Sequence, residues 1–157
     1  MSDLPEVNSE ASVSFREITK DTVGNIIKLS DTLSEAHRKM VAPNAVSIAQ
    51  AHFEERAWFR AIYAGDEPVG FIMLYDHPEE REYFLWRLMV AETHQGKGYG
   101  RQAIELLKEY VRSRPGAEEL GVSCGEGVGS PEGFYRKLGF VPTGKKLGDE
   151  IELQMKL

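Results

Sequence analysis

A glycine-rich turn between a strand pattern and a helix pattern constrains this chain more than any other feature. The segment 95–101, with the sequence QGKGYGR, follows the apolar run 84–90 and opens an amphipathic helix pattern at about Gly98. A strand that turns through glycines into a helix exposes backbone N–H groups at the positive end of the helix dipole, where they bind phosphate. Glycine lets the backbone approach an anion closely, and Lys97 and Arg101 add two positive charges. We therefore predict that this turn binds a phosphorylated cofactor.

Composition restricts the class of protein without assigning a function. With 157 residues, of which 41% are hydrophobic and 28% charged, the chain is typical of one globular domain. A formal net charge of −6 argues against a nucleic-acid partner, which needs a basic surface. No apolar run approaches the roughly 18 residues of a membrane span. The single cysteine, Cys124, fits a reducing cytoplasm, and we predict a disordered leader at residues 1–10 and one domain at 11–157.

Hydrophobic periodicity predicts a mixture of strands and helices. Strand patterns cover residues 12–18, 58–64, 69–75, 83–90, 119–124, 140–142 and 150–156. Helix patterns cover residues 21–29, the region 32–56 with a break near Pro43, and the stretch between the glycine turn and Pro115. Ser130 is predicted to cap one further short helix, with Pro131 at its first position and Gly139 just after its end.

Three kinds of glycine loop compete as explanations of the turn. A Walker A loop needs G-x-x-x-x-G-K-[ST], and the chain lacks this spacing. The dinucleotide fingerprint G-x-G-x-x-G/A is satisfied by Gly98, Gly100 and Ala103, with Glu126 as the acidic residue downstream. That fingerprint normally follows the first strand of a sheet, whereas three further strand patterns precede the turn here. The position of the turn therefore disfavours dinucleotide binding.

The third kind of loop fits both the turn and a second segment downstream. The pattern Gln95-x-x-Gly98-x-Gly100 resembles the pyrophosphate-binding motif of the GNAT family of acyl-CoA-dependent N-acyltransferases. Residues 134–140, with the sequence FYRKLGF, resemble that family's F-Y-x-K-x-G-F segment. Each motif alone is moderately specific, but the two motifs separated by one strand form a strong signature. The resemblance extends over nearly the whole chain, from about Ser12 to Leu157.

The resemblance implies an α+β fold of three layers, in which about four helices flank a seven-stranded mixed sheet. Its fourth and fifth strands are expected to splay apart, so that acetyl-CoA, the expected co-substrate, enters between them. The cofactor-binding residues that the resemblance implies are Leu88, Met89 and Val90 for the thioester and pantetheine, Gln95, Gly96, Lys97, Gly98, Tyr99, Gly100 and Arg101 for the pyrophosphate, and Lys137.

Acyl transfer to an amine requires a neutral amine, a polarised thioester carbonyl and a proton for the departing thiolate. Tyr135 matches the family's general acid, and its alternative role is that of a core tyrosine packing on Leu138. A backbone N–H of residues 88–90, at a β-bulge, is expected to stabilise the oxyanion.

The base is the least constrained assignment. Glu82 is the leading candidate, ahead of Glu126 and Glu92, and direct release of the amine proton to solvent is an alternative. His94 is expected to be exposed and without a catalytic role. The four scattered histidines and the one cysteine give no zinc-binding spacing, so we expect no metal site. Cys124 is expected to be a small buried hydrophobic residue rather than a nucleophile.

The acceptor is expected to be a small cationic amine. Within the family, the chain looks most like small bacterial polyamine acetyltransferases, through the segment WRLMV at 86–90 and the turn that follows it. Spermine or spermidine would suit the acidic net charge and a group of acidic residues near the expected acceptor side. These residues are Asp31, Glu35, Glu54 and Glu55. Aminoglycosides, amino acids and protein N-termini are the alternative acceptors.

Two departures from the family pattern concern the acceptor and the cofactor. The polyamine enzymes tend to carry a carboxylate at the position of Trp86. Much of the family has an Asn shortly before the F-Y segment, and residues 125–131 contain none. A non-catalytic acyl-CoA-binding module is therefore the alternative to an active enzyme. A homodimer is also possible, because an exposed C-terminal strand could pair with a second subunit.

Overall fold

Seven strands and five α-helices lie in residues 11–157, the part of the chain that the computed structural model describes. The strands are β1 (Val13–Arg16), β2 (Ala57–Ala64), β3 (Glu67–His77), β4 (Glu82–Val90), β5 (Glu119–Cys124), β6 (Val141–Leu147) and β7 (Glu150–Lys156). The helices are α1 (Val23–Lys28), α2 (Glu35–Arg38), α3 (Asn44–His52), α4 (Tyr99–Arg112) and α5 (Glu132–Lys137). The predicted leader at residues 1–10 lies outside the described residues. Among these five helices, none has the length and apolar character that crossing a membrane requires.

All seven strands belong to one sheet with the order β1-β2-β3-β4-β5-β7-β6. Neighbouring strands are antiparallel, except that β4 and β5 run parallel. The predicted seven-stranded mixed sheet is confirmed. The described helices number five rather than about four, because the region predicted as helical at 32–56 is divided into α2 and α3. The expectation of an exposed C-terminal strand is wrong, because β7 is hydrogen-bonded to β5 on one side and to β6 on the other.

The contact between β4 and β5 is short, and the two strands then diverge. Only two residue pairs join them in the described residues, Phe84 with Gly121 and Leu85 with Val122. Gly121 admits this contact because a Cβ there would lie 2.9 Å from the Phe84 ring. The pairing between β3 and β4 shifts by one residue immediately afterwards, which leaves Trp86 as the extra residue of a β-bulge. The predicted splay between the fourth and fifth strands is therefore confirmed.

Hydrophobic cores cover both faces of the sheet. On one face, Ile104 and Leu107 of α4 are fully buried against β3, β4 and β5. On the other face, Ile26 of α1 is fully buried against Phe71 and Met73 of β3. Asn44, at the start of α3, is buried on this second face and donates a 2.8 Å hydrogen bond from Nδ2 to the carbonyl of Ile26. Buried amides need such partners, so this bond fixes α3 against α1.

Most elements lie close to their predicted positions, and the differences are at the ends of short helices and in β6, which is predicted at 140–142 but extends over Val141–Leu147. The helix after the glycine turn begins at Tyr99. Its apolar spacing predicts a buried stripe of Ala103, Ile104, Leu107, Tyr110 and Val111, and all of these are buried except Tyr110, which is half-buried. The helix α5 begins one residue later than predicted, because Pro131 is the capping residue and Ser130 lies before it. Ser130 still supports this end, since its Oγ accepts a hydrogen bond from the backbone N–H of Glu132 at 3.1 Å.

A substitution at Gly70 of β3 tests how closely the backbones of β3 and β4 must pack. A Cβ at this position would collide with the backbone carbonyl of Met89 and would lie 3.3 Å from the Cα of Val90. We expect Gly70→Ala to lower the free energy of unfolding by about 1–3 kcal/mol, because the backbone of β4 must move. Urea denaturation followed by circular dichroism measures this change.

The matched control is Gly24→Ala in α1, where no atom lies within 4 Å of the added Cβ. This substitution should leave the protein unchanged or stabilise it by about 0.5–1 kcal/mol, because alanine favours the helix. Equal destabilisation by both substitutions would contradict the steric explanation for Gly70.

Candidate active site

A cavity of about 590 Å³ lies beside the end of β4 that diverges from β5. Leu88, Met89 and Val90 form one wall, and α5 forms the opposite wall with Phe134 and Tyr135. The segment around α2 closes a third side with Leu33, His37, Met40 and Val41. The chain before α5 packs closely against α2 at Gly129. A Cβ at residue 129 would lie only 2.8 Å from the carbonyl oxygen of Ala36 in α2, so this approach requires glycine.

The glycine turn forms the end of this cavity. Gly96 and Gly98 adopt left-handed φ values of +80° and +84°, which residues with a Cβ rarely adopt. Gln95 fixes the start of the turn by donating from Nε2 to the carbonyl of Val90 at 2.9 Å. The helix α4 then begins at Tyr99, so its first-turn amides have no acceptor within the helix and are oriented for an anion.

The structure brings together nearly all the predicted cofactor-binding residues. Those that line the cavity are Leu88, Met89, Val90, Gln95, Gly96, Gly98, Tyr99, Gly100, Arg101 and Lys137. Lys97 is the exception, since its exposed side chain does not line the cavity. Arg101 and Lys137 place positive charge along the wall, and the described lining contains no carboxylate. This charge distribution suits a phosphorylated ligand, although the roles of the individual residues remain predictions.

Tyr135 lies on α5 with 5% of its surface exposed, and it lines the cavity. Its ring packs edge-on against Phe134 and Phe140, with ring centroids 5.3 and 5.4 Å away. Burial raises the pKa of the Tyr135 phenol strongly, and the charges of Cys124 and Glu150 raise it further. The phenol therefore keeps its proton at neutral pH, as a proton donor must.

The three carboxylates considered as bases do not meet at the cavity. Glu82 is exposed at the start of β4, opposite His77, and six residues of strand, or about 20 Å, separate it from Leu88. Glu126 is exposed and forms an ion pair with Lys146 at 3.4 Å. A base must lie within hydrogen-bond reach of the proton that it removes, so the position of Glu82 does not support that role.

Glu92 has a structural connection that the sequence pattern does not reveal. Its Oε1 lies 2.9 Å from Nδ1 of His37 and accepts a hydrogen bond from the backbone N–H of Ser34 at 2.9 Å. Its own backbone N–H donates to Oγ1 of Thr32 at 2.9 Å. The bond with His37 lowers the pKa of Glu92, and the bond from Ser34 adds to this effect. These contacts join the chain after β4 to α2, across 55 residues of sequence.

The burial of Cys124 agrees with the prediction from sequence, whereas the burial of His94 does not. His94 was expected to be exposed, but its side chain is only 16% exposed, lies 3.2 Å from Glu67 and lines the cavity. The 3-10 turn Glu92–His94 directs it inward, which sequence periodicity does not predict. Cys124 is buried at 3% exposure, as predicted, and burial raises the pKa of its thiol.

The acidic residues expected near the acceptor do not line this cavity. Glu54 follows α3 and pairs with Arg56 at 3.8 Å, while Glu55 borders a different cavity, together with Arg114. Asp31 and Glu35 are exposed on the segment around α2. The structure therefore does not bring the four side chains together at this cavity.

A comparison with protein families assigns the chain to a known group. The model of the acetyltransferase (GNAT) family matches residues 26–140. This match covers most of the chain and includes both the glycine turn and the whole FYRKLGF segment. The chain belongs to the acetyltransferase (GNAT) family, as the two sequence motifs indicated.

Individual relatives are distant but similar in fold. An uncharacterised N-acetyltransferase from Oceanobacillus iheyensis is 26% identical over 97 residues, which cover 56% of this chain. The match spans about half of that relative's length, at 55%. The PaiA N-acetyltransferase from Thermoplasma acidophilum, solved in complex with coenzyme A, has a TM-score of 0.70 and 16% identity, covering 93% of this chain and 99% of that chain. An acetyltransferase from Salmonella typhimurium that modifies the N-terminal serine of ribosomal protein L7/L12 has a TM-score of 0.72 and 14% identity, covering 96% of both chains.

Gly98 provides a test of the anion site. Valine at this left-handed position is strained, and its side chain would stand among the amides that face the ligand. We expect Gly98→Val to weaken acetyl-CoA binding about tenfold or more, a change of about 1.4 kcal/mol measured by isothermal titration calorimetry.

Gly144→Val serves as the matched control. Gly144 lies in β6 with a φ of +88°, no atom lies within 4 Å of its added Cβ, and it does not line the cavity. Both substitutions should cost about 1–3 kcal/mol of stability through backbone strain. A similar loss of acetyl-CoA affinity in both variants would show that the effect of Gly98→Val is not local.

Proposed function

We propose that this protein is an acetyl-CoA-dependent N-acetyltransferase in which Tyr135 is the general acid. The observation that carries this proposal is that Tyr135 and the glycine turn line the same cavity, beside the strand that diverges from β5. Membership of the acetyltransferase family supports the reaction class. The coenzyme A bound to the PaiA N-acetyltransferase of similar fold supports the choice of cofactor.

Acetyl-CoA would follow the diverging end of β4. The pantetheine arm can pair with the free backbone edge at Leu88–Val90, because β5 no longer occupies that edge. The pyrophosphate would then meet the amides of the glycine turn, with Arg101 and Lys137 supplying positive charge. In this arrangement the thioester would lie towards the β-bulge at Trp86, near α5.

The transfer proceeds by direct attack of the amine on the thioester carbonyl. A backbone N–H of β4 beyond the bulge stabilises the oxyanion, as preorganised amides do in acyl transfer. Tyr135 donates its proton to the departing thiolate. Because burial raises the pKa of Tyr135, the phenol is a weaker acid than the thiol product. Proton transfer must therefore accompany cleavage of the C–S bond rather than precede it.

The proposed acceptor is a primary amine of a small cationic molecule, with spermine or spermidine as the leading candidate. The net charge of −6 supports this choice, because it attracts cations. The resemblance of residues 86–90 and the turn to polyamine acetyltransferases also supports it. A protein N-terminus is the main competitor, since the relative from Salmonella typhimurium modifies an N-terminal serine.

Tyr135→Phe tests the general acid. We expect turnover to fall roughly 100-fold or more, the usual contribution of acid catalysis, with little change in acetyl-CoA affinity. Thiol release from acetyl-CoA measures turnover, and calorimetry measures binding. Tyr110→Phe is the control, because its hydroxyl bonds to Asp76 away from the cavity and its loss should affect only stability. Equal loss of acetyl-CoA affinity and of turnover in Tyr135→Phe would contradict the assignment.

An acceptor panel tests the substrate class. Wild-type protein should show saturable thiol release with spermine or spermidine, exceeding that with aminoglycosides, amino acids or a peptide with N-terminal serine. The value of kcat/KM should rise between about pH 7 and 9, because the neutral fraction of an amine with pKa about 10 increases with pH. A preference for the peptide would identify a protein N-terminus, rather than a polyamine, as the acceptor. Binding of acetyl-CoA without turnover on any acceptor would contradict the proposal that the protein is an enzyme.

A further inference from the structure

The carboxylate of Glu150, on the neighbouring strand β7, lies beside the point where β4 and β5 separate. Ser123 is the first residue of β5 beyond the last pair with β4. Its Oγ donates a 2.7 Å hydrogen bond to Oε1 of Glu150, the first residue of β7. The hydroxyl therefore holds the Glu150 carboxylate at the apex of the splay. Among residues 11–157, no lysine, arginine or histidine forms an ion pair with this carboxylate within 4.0 Å.

On the other side of the splay, β4 carries Arg87, whose guanidinium is hydrogen-bonded to two uncharged groups. Its Nη1 donates to the carbonyl of Trp86 at 3.1 Å and its Nη2 donates to Oε1 of Gln50 at 3.0 Å. Burial lowers the pKa of Arg87, and the charge of Glu150 opposes this effect. No hydrogen bond or ion pair joins the Glu150 carboxylate to this guanidinium in the described residues, so the carboxylate keeps a lone pair for a ligand.

Glu150 also lies close enough to the proposed acid to influence it. Burial is the largest cause of the raised pKa of Tyr135, and Cys124 and Glu150 add to it. Burial likewise raises the pKa of Cys124, and the charges of Glu132, Glu150 and Glu126 add to that effect. The charge of Glu150 thus adds to the electrostatics of both Tyr135 and Cys124, while its position beside the splay is given by the 2.7 Å bond to Ser123.

We propose that Glu150 binds the acceptor ammonium group and accepts the proton that the nitrogen loses during acyl transfer, with Ser123 as its positioning residue. This inference rests on the proposed function and names the base of the same site. The other carboxylates considered are occupied or remote. Glu92 is bonded to His37 and Ser34, Glu126 pairs with Lys146, and Glu82 lies at the far end of β4.

The proton and electron balance is complete without another reactant. The ammonium group first loses one proton to solvent, and the neutral amine donates its lone pair to the carbonyl carbon. As the C–N bond forms, the nitrogen becomes acidic and its remaining extra proton passes to Glu150. The C–S bond breaks with its electron pair on sulfur, which takes the proton of Tyr135. Glu150 then returns its proton through solvent to the phenolate, and the products are the amide and coenzyme A.

The charge of the proposed base also acts on the proposed acid. Burial is the main reason that Tyr135 stays protonated, and the negative charge of an ionised Glu150 adds to this effect. When Glu150 accepts the proton from the amine, that charge disappears. Tyr135 then becomes a stronger acid as the thiolate begins to leave.

Glu150→Gln is the direct test, because glutamine retains the shape and an acceptor for Ser123 but lacks the charge. We expect kcat/KM for the preferred amine to fall about 100-fold or more, with a raised KM for the amine and a lowered kcat. Acetyl-CoA affinity, measured by calorimetry, should not change. Glu152→Gln is the control, since Glu152 lies two residues along β7 and bonds to Thr143 instead. It should retain wild-type kinetics.

The positioning role of Ser123 is tested with a conservative pair. Ser123→Ala should reduce kcat/KM about tenfold through loss of one charge-assisted hydrogen bond of roughly 1.4 kcal/mol. Ser123→Thr, which keeps the hydroxyl, should restore most of the activity. Circular dichroism confirms that each variant is folded, and Glu150→Asp provides a second, partly active variant if Glu150→Gln fails to fold.

The outcomes separate this inference from the function on which it depends. Wild-type turnover together with unchanged kinetics in Glu150→Gln or Glu150→Asp would overturn the role of Glu150 and leave the enzyme proposal intact. Equal losses in the Glu150 and Glu152 variants would also overturn it, because a general charge effect would then explain both. Absence of wild-type turnover on every acceptor would overturn the proposed function and this role together.

Discussion

The candidate site depends on the interruption of the parallel contact between β4 and β5 after two residue pairs. Gly121 accepts the Phe84 ring where a side chain could not fit, and the bulge at Trp86 follows immediately. Beyond this point the facing backbone groups of both strands lack each other as partners, and buried N–H and C=O groups need a partner. An extended ligand that supplies hydrogen bonds satisfies that requirement. The gap is therefore both a cavity and an unfilled strand position within the sheet.

The cavity lining carries positive charge, whereas Glu150, the proposed base, lies beside the cavity. Arg101 and Lys137 lie on its walls, and the described lining contains no carboxylate. The excess of acidic residues behind the net charge of −6 therefore lies outside the lining of this cavity. Glu150 stands outside that lining, at the apex of the splay. In the proposed mechanism, phosphate binding and amine binding would therefore take place at different points along the gap.

Local features of the site were predictable, whereas long-range pairings were not. The glycine turn and the buried stripe of α4 follow from spacings within about 20 residues, and both lie where the sequence predicts. The bond between His37 and Glu92 spans 55 residues, and the bond between Ser123 and Glu150 spans 27. No periodicity connects such residues, because their contact depends on the order of strands in the sheet. Glu82 is close in sequence to the expected cofactor-binding residues 88–90, but the extended strand between them carries it away from the cavity.

Strand order explains why Glu150 reaches the gap at all. The chain passes from β5 through α5 to β6, but β7 rather than β6 occupies the place next to β5. In a sheet that followed chain order, β7 would lie one strand further out, about 4.8 Å from its present position. The 2.7 Å bond between Ser123 and Glu150 would then be impossible. Because β7 lies between β5 and β6, its first residue, Glu150, lies next to the point where β4 and β5 separate. The position that the proposed proton transfer requires of this carboxylate therefore follows from the strand order.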